Sequence, residues 1–100
     1  MKFSYFLWLF LFSGVIYGQE FKKKIYVNQT DTLPYRLLLP DNYNPKKSYP
    51  LLIFLHGAGE RGNDNEKQLI HGSNLYTSEI FSKNYPAIVV FPQCPKNSYW

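Results

Sequence analysis

The residues best equipped for chemistry sit together at His56-Gly57-Ala58-Gly59-Glu60-Arg61. Gly57, Ala58 and Gly59 carry small side chains or none, so their main-chain N–H groups stay open to a ligand. Accessible N–H groups at such a turn suit the stabilisation of negative charge on an oxygen atom, as in acyl transfer. One preorganised donor of that kind is worth about 3–4 kcal/mol. The simpler alternative is that Gly57 and Gly59 only permit a tight strand-to-loop turn. His56 either fixes the loop by hydrogen bonding or is a satisfied buried imidazole. Glu60 and Arg61, adjacent charges beside the turn, brace it through neighbouring groups rather than act on a substrate.

The elements that must position these residues are strands. Leu51, Ile53, Leu55 and the residues between them form an unbroken apolar run bounded by Pro50 and the glycine turn. Such a run predicts a strand buried on both faces, central in a parallel sheet. Ligands bind at the carboxyl ends of strands in open α/β sheets, and the turn lies there. Ala87 to Phe91 is a second β-branched run of the same type, ended by Pro92-Gln93-Cys94-Pro95. Upstream, Phe21–Gln29 and Leu33–Leu39 predict two strands around the turn-forming Asn28-Gln29-Thr30-Asp31, paired antiparallel. Between the apolar runs, Glu66–Ile70 predicts a short helix entered at Asp64 or Asn65 and ended by Gly72. A second helix is expected over Leu75–Phe81. The fold class is therefore α/β: an antiparallel hairpin followed by parallel strands with a helical crossover. The unit is incomplete, and the expectation is that these residues are the front of a longer protein.

Composition narrows the setting. Met1-Lys2, the apolar and aromatic run Phe3–Tyr17, and Gly18 ahead of Gln19-Glu20 describe a secretory signal peptide over residues 1–18. An uncleaved anchor is the alternative, although the run is shorter than the roughly 20 residues a membrane span needs. The expected location is secreted or periplasmic, with no membrane role apart from export. Loss of Lys2 lowers the net charge from +4 to +3. Lys22-Lys23-Lys24 is the one basic cluster and reads as a solvated strand end, so no nucleic-acid partner is expected. Cys94 is the sole cysteine; it cannot form a disulfide within the chain, and with two histidines at this spacing it builds no metal site. Cys94 has no flanking base or cation to make it a thiol nucleophile.

The order P-Y-R-L-L-L-P, Y-P-L-L-I-F-L-H-G-A-G-E-R-G, Q-L-I-H-G, Y-P-A-I-V-V-F-P-Q-C-P and a trailing tryptophan resembles the α/β-hydrolase superfamily, over roughly Thr32 to Trp100. Within it, the chain is similar to secreted bacterial carboxylesterases of the phospholipase-like and predicted-peptidase branch. The resemblance implies residues 19–100 as the N-terminal part of a hydrolase domain, with a serine on G-x-S-x-G, an acid and a histidine all downstream. Ser4, Ser13, Ser48, Ser73, Ser78, Ser82 and Ser98 all lie outside such a motif. Gly72-Ser73-Asn74 comes nearest but lacks the second glycine. The nucleophile and general base are therefore not expected in this chain. The resemblance further implies Ala58 N–H as first and Gly59 N–H as second choice of oxyanion donor. His56, Gly57, Glu60, Arg61 and Gln93 are then loop supports, and His71 and Trp100 potential pocket walls. For His71, Gln93 and Trp100 a structural role is at least an equal alternative. The implied function is an exported serine hydrolase that acts on a small-molecule, peptide-linked or polysaccharide-linked ester without a cofactor. The rivals are a peptidase using the same machinery and a secreted, non-catalytic binding module.

Overall fold

β1 (Lys22–Val27) and β2 (Thr32–Leu38) pair antiparallel, with Lys22 opposite Leu37 and Val27 opposite Thr32. Their turn is closed by Asn28, whose Oδ1 accepts the Thr30 and Asp31 N–H groups at 3.0 and 2.7 Å. The protein is described by a computed structural model over residues 20–100. The leader expected over residues 1–18 lies outside them. Among the described residues, no helix is long and apolar enough to cross a membrane.

The sheet has the order β1-β2-β4-β3, where β3 is Leu51–Ile53 and β4 is Ile88–Pro92. β4 runs antiparallel to β2 and parallel to β3, so an antiparallel pair is joined to a parallel one as the sequence implies. The central place belongs to β4. Its β-branched residues suit a strand paired on both sides, and Val89 and Phe91 are 1% and 0% exposed.

Three expectations need correction. Among the described residues the apolar run at Leu51–Leu55 stands at the edge of the sheet, and it is not buried on both faces. It is a short edge strand with Leu51, Ile53 and Leu55 61%, 57% and 54% exposed. Leu52 and Phe54 alternate to the other face and join the core. Only β4 pairs with β3 among the described residues, which leaves its other flank open. Secondly, the helix expected over Glu66–Ile70 contracts to one 3-10 turn at Lys67–Leu69. Its N-cap is Glu66 rather than Asp64 or Asn65, with a non-helical backbone (φ -136°, ψ -40°), while Asp64 Oδ1 accepts the Glu66 and Lys67 N–H groups from the preceding turn, where Asn65 is left-handed at φ 53°. Thirdly, the helix expected over Leu75–Phe81 is two: α1 (Ser73–Thr77) and α2 (Glu79–Asn84). Ser78 adopts an extended backbone between them and caps α2, accepting the Phe81 N–H at 3.3 Å.

Gly72 opens α1 with φ 87°, and a Cβ there would lie 2.8 Å from Phe54 Cζ. Backbone conformation and close approach both require glycine. The core lies between this helical side and one face of the sheet. Phe91 stacks on Phe54 at 4.5 Å between centroids and meets Phe21 and Tyr76 edge-on at 5.0 and 5.7 Å.

Candidate active site

The ladder extends one residue past β3, where the Phe54 N–H donates to Val90 O at 2.9 Å. The chain then leaves the sheet at His56 and winds into a 3-10 turn at Ala58–Glu60. The continuation of β4 through Gln93 and Cys94 runs beside it, so both segments emerge at the carboxyl ends of the parallel pair.

Four groups pin this loop. His56, 6% exposed, accepts the Cys94 N–H on Nε2 at 2.9 Å. A main-chain N–H can only donate, so the neutral ring carries its proton on Nδ1 and donates it to Gly57 O at 2.6 Å. Gln93 is fully buried; its Nε2 donates to Glu60 O at 3.2 Å and to Asp64 Oδ1 at 2.8 Å, and its Oε1 accepts the Asn65 N–H at 2.7 Å. The Gly62 N–H donates to Cys94 O at 3.0 Å. Arg61 donates from Nε to Ala58 O and from Nη1 to Ser98 O, with its guanidinium 4.4 Å from the Tyr99 ring centroid. Glu60 lies 3.8 Å from the His71 Nε2.

The Glu60 N–H closes the 3-10 turn on Gly57 O, whereas the Ala58 and Gly59 N–H groups are among the loop donors that meet no acceptor among the described residues. They belong to the exposed outer part of the loop. Beside them is a cleft of about 220 Å³ lined by His56, Gly57, Ala58, Arg61, Cys94 and Trp100, with Tyr99 at its rim. Trp100 faces the His56 ring edge-on at 5.3 Å. His71 is exposed and outside that lining. A larger hollow of about 940 Å³ lies away from this loop, against Tyr49, Leu51, Phe81 and Tyr85.

The Ser73 hydroxyl donates to Leu69 O, in the 3-10 turn that precedes α1. The free thiol of Cys94 is buried and 2% exposed.

Asn65 is the residue that sequence reasoning undervalued. It was expected only to start a helix. Its Nδ2 instead reaches Lys24 O and Tyr35 O at 3.1 and 3.2 Å, its own carbonyl accepts Arg36 Nε at 2.7 Å, and its Oδ1 accepts from Gln68. It thereby ties the loop after the glycine turn to the hairpin. Asp64, beside it, has its carboxyl held at about 2, below its usual 3.8, chiefly by the Gln93 side-chain bond; burial opposes this, and the Glu66 and Lys67 N–H groups add to the lowering.

No family model and no curated protein matches the chain. Among solved structures it is similar to a chain in the crystal structure of a thermostable esterase, with 39% identity and a TM-score of 0.72. That likeness covers 80% of this chain but 22% of the esterase chain, so the sequence here spans about a fifth of the length of the protein it matches. The mixed sheet and the likeness together define an α/β-hydrolase-like esterase fold.

Proposed function

We propose that this chain supplies half of an oxyanion hole to an exported serine hydrolase that cleaves carboxylic esters through an acyl-enzyme. The Ala58 N–H is the first donor and Gly59 the second. The serine, its histidine and its acid lie outside these hundred residues. The single observation supporting this most strongly is the unpartnered Ala58 N–H, with the Gly59 N–H next to it, on a hydrogen-bonded loop where Ala58 lines a cleft. Donors fixed before the reaction need no reorganisation when charge develops on the acyl oxygen. The esterase likeness favours an ester over an amide as substrate. Export rests on the leader in residues 1–18.

The test is hydrolysis of p-nitrophenyl acetate by the full-length protein and labelling of its serine by a fluorophosphonate probe. Ala58→Pro removes the donor and is expected to lower kcat by about a hundredfold with little change in KM. A well-folded, full-length protein that takes no label supports the non-catalytic binding module instead.

A further inference from the structure

We propose that His56 is a positioning residue that aims and strengthens the Ala58 donor through the Gly57–Ala58 peptide. This rests on the oxyanion reading of the loop. The carbonyl of that peptide belongs to Gly57 and its N–H to Ala58. The peptide is trans, so the two bonds point in opposite directions. Whatever holds the Gly57 oxygen therefore fixes the direction of the Ala58 N–H. Two donors hold it: His56 Nδ1–H at 2.6 Å and the Glu60 N–H at 3.2 Å. Both draw electron density toward the carbonyl oxygen and leave the Ala58 N–H a better donor.

The imidazole is in turn held from its other side. The Cys94 N–H occupies the Nε2 lone pair at 2.9 Å, which fixes both the tautomer and the ring plane. The line of contact thus runs from the end of β4 through Cys94 N–H, the His56 ring and the Gly57 carbonyl to the Ala58 N–H. Both ring nitrogens are engaged, so His56 serves as neither proton acceptor for a nucleophile nor ligand. Its two bonds have separable consequences. Losing the Cys94 bond leaves a buried N–H without an acceptor, which lowers stability. Losing the Gly57 bond leaves that carbonyl still paired to Glu60 but freer to rotate, which lowers turnover.

Two isosteric variants divide these bonds. In His56→Asn the side-chain amide nitrogen replaces Nδ1 and keeps the Gly57 bond, while the Cys94 N–H loses its acceptor. In His56→Gln the amide oxygen replaces Nε2 and keeps the Cys94 bond, while the Gly57 bond is lost. In the full-length protein, His56→Gln is expected to lower kcat on p-nitrophenyl acetate about tenfold or more at nearly constant KM, with the smaller fall in Tm. His56→Asn is expected to keep the larger part of kcat with the greater fall in Tm. The Ala58 ¹⁵N resonance, measured without any substrate, should move in the Gln variant and hold in the Asn variant. If turnover in the two variants simply tracks their Tm, or the Ala58 resonance is equally displaced in both, the proposal is overturned. An inactive wild-type protein overturns the oxyanion reading instead, and the resonance then decides the positioning claim alone.

Discussion

The carboxyl end of β3 and its outer flank are finished in opposite ways. Past Phe54, hydrogen bonds from His56, Gln93, Arg61 and Gly62 hold the backbone in place with little apolar burial. Along the flank, Leu51, Ile53 and Leu55 stand more than half exposed. The loop is held by bonds within the described residues, whereas the flank beside it is left without cover by them. Directional bonds to β4 and the hairpin are enough to place the donors, whereas the apolar flank depends on non-directional burial that the described residues leave unsupplied.

Substitutions on the two sides should separate accordingly. The largest effect is expected from Gln93→Leu, which strands the Asn65 N–H in a buried setting and unpairs Glu60 O and Asp64. The cost should be about 3 kcal/mol in urea unfolding, with a loss of loop order visible in amide exchange. If Gln93→Leu unfolds at the wild-type midpoint, the loop is not held as described. Gly72→Ala forces a left-handed alanine against Phe54 and should cost about 2 kcal/mol, read as a fall in Tm. A smaller effect concerns acid. The Asp64 carboxyl is held at about 2 in the folded state against 3.8 when free, so its stabilising contribution is complete above about pH 4 and is lost as pH falls toward 2. Asp64→Asn should flatten that stretch of the stability–pH curve, and an unchanged slope would contradict the assignment. The smallest change belongs to the flank. Leu51→Ser or Ile53→Ser in this chain should shift stability by no more than about 0.5 kcal/mol, because both side chains stay more than half exposed in the folded chain. A loss of 2 kcal/mol in either would mean that this flank is covered.

Local patterns made much of this legible. The Asn28–Asp31 turn has side-chain chemistry that closes a hairpin, and the β-branched run at Ile88–Val90 forms a strand paired on both sides. The edge place of β3 among the described residues was not legible. When successive residues on both faces are apolar, period-two alternation disappears from the sequence, and a half-covered strand reads the same as a buried one. The glycine turn and Gln93 stood out because they flank the ends of apolar runs. Asn65 did not. Its partners Lys24, Tyr35, Arg36, Gln68 and Gln93 are scattered along the chain, so nothing in its own neighbourhood marks it as more than a turn residue. Ser78 could likewise have been read as a cap, but a helix break inside an apolar pattern needs its backbone angles to be seen.

The strand order carries a consequence for synthesis on the ribosome. β3 is made before β4, yet among the described residues β4 is the one strand it pairs with, and β2 also waits for β4 on that side. Until Ile88–Pro92 emerges, the nascent chain carries Leu51–Leu55 as a greasy ribbon without a neighbour, an interval in which a holding chaperone has most to protect.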